Sequence, residues 1–99
     1  MITSVRTAIM MPGKVAEGRS LAQEFATVVT KVTRKPCRTG LNVGTNPSEL
    51  CWIMQWDSLG QFEELTNKLA TDPDYTRLQK AAEGVLMPGS IRDQLFRTN

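Results

Sequence analysis

The fold is decided by the stretch LCWIMQW at residues 50–56, whose side chains alternate as they do in a β-strand. Trp52, Met54 and Trp56 share one face of this strand. Turn-forming residues at 46–48 precede it, and residues 37–45 before the turn alternate as well. The two segments therefore predict a β-hairpin with one face almost wholly apolar.

A turn centred on Asn46 and Pro47 sets the register of this hairpin. It pairs facing residues as follows: Trp52 with Leu41, Met54 with Thr39, and Trp56 with Cys37. The same register separates Cys37 from Cys51 by roughly 17 Å along the ladder at about 3.3 Å per residue, beyond the reach of a disulfide. We expect both cysteines to be reduced and to behave as small buried hydrophobes, with only Cys37 near cations that would lower its pKa.

The segments on either side of the hairpin predict the remaining elements. Residues 2–10 alternate as a strand, and apolar residues recur at helical spacing after Pro12, which suits a first helical turn, up to Pro36. A second helix is capped by Asp57 or Ser58. Its predicted core-facing residues are Leu59, Phe62, Leu65 and Leu69. Asp72 and Pro73 begin another helix, and residues 90–97 form a last strand.

The order β-α-β-β-α-β, with its second helix broken, predicts a ferredoxin-like α+β fold. Four antiparallel strands carry helices on one face, in a single domain over residues 1–99. We expect the uncovered face to hold apolar side chains: Ala8, Met10, Ile53 and Phe96. Exposing them to water is costly, so a partner subunit is expected to cover this face.

Composition excludes several classes of protein. The 99 residues contain no histidine, which rules out catalytic triads, Cys-His pairs and haem-histidine sites within one chain. A net charge of +2 is far from that of a nucleic-acid-binding protein. Acidic residues are too scattered for a metal site, and we expect neither a metal nor a cofactor. The first residues lack a signal-peptide pattern, and no membrane segment is found, so a cytoplasmic location is expected.

The chain resembles the dimeric α+β barrel superfamily, which includes NIPSNAP-like, antibiotic-biosynthesis-monooxygenase-like and stress-responsive barrel families. The motifs that carry the resemblance are PGK at 12–14, WDS at 56–58 followed by Phe62, and LATDPDY at 69–75. The resemblance implies a homodimer in which two four-stranded sheets meet as an eight-stranded barrel. It also implies a small-molecule site, either in a cleft between helices and sheet or in a cavity lined by the open sheet face.

The sequence departs from the monooxygenase-like families at one position. Those members commonly carry a histidine nine residues after the strand-end tryptophan, where this chain has Leu65. The nearest candidates for the rest of that catalytic set are an amide, a tryptophan and an arginine: Asn42, Trp52 or Trp56, and Arg92. The resemblance thus implies either cofactor-free oxygenation of an aromatic or anionic metabolite, or a non-catalytic ligand-binding or stress-associated dimer.

The strand faces predict which side chains line a site on the open face. The candidates there are Arg6, Arg38, Asn42, Gln55, Arg92 and Gln94, with Met10, Ile53 and Phe96 among them. Such arginines hold a carboxylate, phenolate or phosphate, or else are solvated or paired across a dimer seam. Tyr75 either projects its hydroxyl into the cleft or only packs its helix. Asp93 falls on the predicted core side of the last strand. Either the two faces of this strand are assigned the wrong way round, or it is an edge strand that reaches the other subunit.

Overall fold

The computed structural model describes all 99 residues, which form four strands and three helices. The elements in chain order are β1 (Ile2–Ile9), α1 (Val15–Thr33), β2 (Cys37–Leu41), β3 (Glu49–Trp56), α2 (Leu59–Ala70), α3 (Pro73–Ala81) and β4 (Arg92–Arg97). The strands form one antiparallel sheet in the order β2-β3-β1-β4. The predicted ferredoxin-like α+β fold, with its second helical region in two pieces, is confirmed.

Helix α1 covers β2 and β3 with one apolar face that includes Leu21, Phe25 and Val29. It ends at Arg34, which adopts a left-handed conformation (φ 59°) and donates its N–H to the carbonyl of Thr30 at 2.8 Å. The helix begins three residues after Pro12, so the predicted placement of that proline in its first turn is wrong. Residues 12–13 instead form a turn that needs a positive φ at glycine.

Helices α2 and α3 begin at the predicted caps. The Ser58 hydroxyl accepts a hydrogen bond from the N–H of Gln61 at 3.1 Å, and the Asp72 carboxylate accepts from the N–H of Tyr75 at 2.9 Å. Pro73 occupies the first turn of α3, where its missing N–H costs nothing. The prediction that Leu59 faces the core is wrong, because this side chain is 48% exposed at the start of α2.

The hairpin of β2 and β3 is shifted by two residues from the predicted register. The observed pairs are Cys37 with Met54, Thr39 with Trp52, and Leu41 with Leu50. The connection spans residues 42–48 and closes where the carbonyl of Asn46 accepts from the N–H of Glu49 at 3.0 Å. A two-residue shift keeps every side chain on its predicted face, so the apolar face is as expected although the partners differ.

The two faces of β1 are the reverse of the prediction. Ala8 (0% exposed) and Met10 (1%) lie beneath the helices, and the open face instead carries Thr3, Val5, Thr7 and Ile9. Helix α1 lies close to the residues at the end of β1, because a Cβ atom at Gly18 would overlap the side chain of Met10. Ile53 and Phe96 do lie on the open face, as predicted, and both are exposed.

Strand β4 is shorter than predicted and is exposed throughout. Ser90 lies outside it, and its hydroxyl accepts from the N–H of Ile9 at 3.0 Å. The helices pack chiefly against β2 and β3. None of the three helices is both long enough and apolar enough to cross a membrane.

Candidate functional site

A cleft of about 470 Å³ lies between the sheet and helices α2 and α3. Of the 18 residues that line it, 13 are hydrophobic. A second groove of similar volume, between α1 and β2, has only 4 hydrophobic residues among 9. Small-molecule sites are mostly apolar with a few placed polar groups, so the cleft beneath α2 and α3 is the candidate site.

Aromatic side chains hold the walls of the cleft in fixed positions. Trp56 of β3 meets Phe62 of α2 edge to face at 5.3 Å between ring centroids, and Phe25 of α1 meets Tyr75 of α3 at 5.5 Å. The indole N–H of Trp56 donates to the Ser4 hydroxyl at 2.9 Å. The site is therefore built on strands and helices rather than on mobile loops, which favours a preformed pocket.

The polar end of the cleft is a three-residue cluster of Arg6, Asp93 and Tyr75. The Arg6 guanidinium donates from Nε to Asp93 Oδ1 at 2.7 Å and from Nη2 to Oδ2 at 2.8 Å. Its Nη1 donates to the Tyr75 hydroxyl oxygen at 3.2 Å. The cluster thus joins the central strand β1 to the edge strand β4 and to helix α3.

Both members of the Arg6–Asp93 pair are charged at neutral pH. The hydrogen bonds from Arg6 hold the pKa of Asp93 below its usual value, against the opposing effect of burial. The same contact raises the pKa of Arg6. Because each partner stabilises the ionised form of the other, the pair as a whole is electrically neutral.

The predicted ligand-binding residues divide between the two faces of the sheet. Arg6 and Tyr75 line the cleft, whereas Arg38, Gln55 and Gln94 lie on the open face. The predicted convergence of Arg6 with the open-face residues is therefore wrong, because β1 presents its other face. Asp93 accepts from two of the N–H donors of Arg6 and neutralises its charge, and the expectation that Arg6 holds an anion stays a prediction.

The structure does not bring the candidate catalytic residues together. Trp52 faces the helices and donates its indole N–H to the carbonyl of Ala22 at 3.1 Å, while Arg92 lies on the opposite face of the sheet. Asn42 lies beyond the end of β2, where its amide donates to Glu49 at 3.0 Å. Trp56, the alternative to Trp52, lines the cleft.

Asp93 is the site residue that sequence reasoning did not identify as a binding residue. Its signal is present in the sequence, because a carboxylate on the helix side of the last strand can pair with a cation on the neighbouring strand. Arg6 occupies the facing position on β1. No group of three or more cysteine, aspartate or glutamate side chains lies close enough together to hold a metal ion.

Cys37 lines the cleft, and burial raises the pKa of its thiol to about 11. The neighbouring cations therefore do not activate it, in agreement with the expectation that Cys37 behaves as a small hydrophobe. Cys51 lies on the opposite face of the sheet, and both thiols are free.

We expect alkylation of Cys37 by iodoacetamide to be slow and steeply pH-dependent. At pH 8 its thiolate fraction should be about 100-fold smaller than that of a thiol with the ordinary value of 9.0, and it should rise about tenfold per pH unit up to pH 10. Peptide mass spectrometry measures the rate, with glutathione as the reference thiol. Labelling at pH 8 as fast as that of glutathione would contradict this assignment.

Comparison with solved structures identifies proteins of the same fold. A NIPSNAP domain protein from Burkholderia xenovorans aligns with a TM-score of 0.84 at 16% identity, covering 100% of this chain and 95% of the other. A NIPSNAP family protein from Agrobacterium tumefaciens aligns with a TM-score of 0.84 at 16% identity, covering 99% and 92%. An antibiotic biosynthesis monooxygenase aligns with a TM-score of 0.73 at 12% identity, covering 100% and 99%.

At these identities the likeness is one of fold. It confirms the resemblance in architecture to NIPSNAP-like and monooxygenase-like proteins. No protein-family model matches the sequence, and no curated protein matches it either.

Proposed function

We propose that the protein is a homodimer that binds a small molecule in the cleft of each subunit. The cleft itself carries this proposal: about 470 Å³ of space, walls that are mostly apolar, and one polar end. Sites for small ligands have this volume and this composition. The aromatic contacts around Trp56 and Tyr75 hold the space open without filling it.

The proposed homodimer rests on the open face of the sheet. Ile53 is 37% exposed and Phe96 is 48% exposed there, and Val5 lies between the two strands that carry them. A second copy stacked on this face would remove these apolar side chains from water, which favours association. The resemblance to dimeric barrels supports the same arrangement.

Binding is the activity that the geometry supports best. Trp52 and Arg92 lie on opposite faces of the sheet, so they are not placed to act on one substrate together with Asn42 within a subunit. The likeness to an antibiotic biosynthesis monooxygenase favours oxygenation of the bound molecule as the second candidate. Oxygen consumption during binding experiments distinguishes the two.

The test uses 1-tetralone, an uncharged fused-ring ketone. Its titration is expected to quench the emission of Trp52 and Trp56, which both line the cleft, with a dissociation constant of about 1 mM or tighter. Ala70→Phe should weaken binding at least tenfold, because the larger side chain fills space at the wall formed by α2.

The matched control is Ala81→Phe, at an exposed position of α3 outside the cleft lining, which should bind as the unchanged protein does. Equal binding by both variants, or no saturable signal in the unchanged protein, would overturn the proposal. An oxygen electrode records turnover in the same mixtures.

A further inference from the structure

We propose that the cleft selects uncharged ring compounds that carry one acceptor oxygen, which accepts a hydrogen bond from the Tyr75 hydroxyl. This inference rests on the proposed function, since it names the class of ligand for the same cleft. It also replaces the sequence-based expectation of an anionic ligand held by arginine.

Charge balance at the polar end argues against ionic ligands. Asp93 accepts from Arg6 at both carboxylate oxygens, and three of the five N–H donors of the guanidinium are given to Asp93 and Tyr75. A carboxylate or phosphate would therefore meet a guanidinium whose charge Asp93 already neutralises, and a cation would meet Arg6. The pair is 39% exposed at each side chain, whereas the rest of the lining is mostly apolar, where an unpaired ionic group is unfavourable.

The Tyr75 hydroxyl is an uncharged donor fixed at this end of the cleft. Its oxygen accepts from Arg6 and makes no other hydrogen bond, so its proton is free to be donated to a ligand. The side chain is also held in place: its ring packs on Phe25, and its backbone N–H is bound by Asp72 at the start of α3. A donor fixed before binding favours affinity, because little side-chain entropy is lost.

The shape of the remaining surface favours a ring. Trp56 and Phe62 meet edge to face along the wall, with Met54 and Leu69 beside them in the lining. Ser4, Thr66 and Gln79 also line the cleft; the Ser4 hydroxyl accepts from Trp56, and Thr66 donates to the carbonyl of Phe62. A ligand with an acceptor oxygen at Tyr75 and an apolar remainder fits the polar end and the mostly apolar walls.

Three probes of similar size test the inference: 1-tetralone, the hydrocarbon tetralin, and the anion 1-naphthoate. Calorimetric or fluorescence titration at pH 7 should give affinities for 1-tetralone about fivefold tighter than for tetralin, since one hydrogen bond is added. 1-Naphthoate should bind at least tenfold more weakly than 1-tetralone. The affinities of the three probes are ranked in the unchanged protein, so this test does not depend on the folding of any variant.

Two substitutions assign the effects to their residues. Tyr75→Phe should abolish the preference for the ketone over the hydrocarbon. Asp93→Asn leaves the Arg6 charge without its partner and should improve 1-naphthoate binding at least tenfold. Asp74→Asn, at an exposed position of α3, makes the same change in net charge away from the cleft and should not improve it.

The outcomes separate the two proposals. If none of the three probes binds, the proposed function itself is wrong. If the probes bind but 1-naphthoate matches or exceeds 1-tetralone, or the ketone is no better than tetralin, the cleft binds small molecules and the inferred ligand class is wrong. Should Asp93→Asn fail to fold, the ranking in the unchanged protein still decides.

Discussion

Ile53→Arg is expected to convert the proposed homodimer into monomers at micromolar concentration. Ile53 lies in the interior of the sheet on its open face, between Val5 of β1 and Arg38 of β2. In a face-to-face dimer the new guanidinium would be buried next to the existing arginine at position 38. Unpaired charge in an interface costs several kcal/mol, so dimer affinity should fall at least 100-fold.

Sedimentation velocity measures this change, and circular dichroism should show an intact fold, because residue 53 is 37% exposed in the single subunit. Val43→Arg makes the same kind of substitution in the loop between β2 and β3, at a side chain that is 94% exposed. That control should stay dimeric. A monomeric unchanged protein, or a dimeric Ile53→Arg variant, would contradict the proposed interface.

Leu78→Ala is expected to produce a large loss of stability. Leu78 of α3 is 0% exposed and belongs to the core cluster that includes Phe25, Met10 and Leu86. Removing its isobutyl group leaves a cavity at the point where α3 is anchored beside the cleft. Substitutions of this kind destabilise proteins by about 2–5 kcal/mol, which lowers the melting temperature of a chain this small by about 15 °C.

Thermal unfolding followed by circular dichroism tests this prediction at one fixed protein concentration, because the proposed dimerisation would make the melting temperature concentration-dependent. Leu59→Ala removes the same group from a side chain that is 48% exposed and should cost less than about 1 kcal/mol. Similar losses in the two variants would show that α3 is not anchored through Leu78.

Features fixed by nearby residues were predictable from the sequence. The caps at Ser58 and Asp72 act on backbone groups three residues away, and Pro73 acts on its own helix turn. The boundaries of α2 and α3 therefore follow from short segments. The order of elements follows in the same way, and it was sufficient to predict the fold class.

The hairpin register was not predictable, because side chains of its loop determine it. The Asn42 side chain accepts from the N–H of Gly44 at 2.7 Å, and the Asn46 side chain accepts from the N–H of Ser48 at 3.0 Å. These contacts make a longer connection than a turn centred on Asn46 and Pro47. The predicted faces of the two strands were still correct, since a shift of two residues leaves each side chain on the same face of the sheet.

The faces of β1 were ambiguous because neither is clearly apolar. One face carries Val5 and Ile9 between threonines, and the other carries Ala8 and Met10 together with Arg6. The arginine suggested exposure, yet Asp93 neutralises it on the helix side. This partner lies 87 residues away in the chain, so the polar end of the cleft depends on a tertiary contact that local patterns do not report.

The cleft beneath α2 and α3 is proposed to hold a small molecule. Two-dimensional ¹⁵N NMR of the protein titrated with 1-tetralone shows where such a molecule binds. We predict saturable shifts of the Trp56 indole and of the backbone amides of Tyr75 and Phe62, and none at Arg38 and Gln94 on the open face. Shifts confined to the open face, or no shifts at any of these positions, would contradict the account.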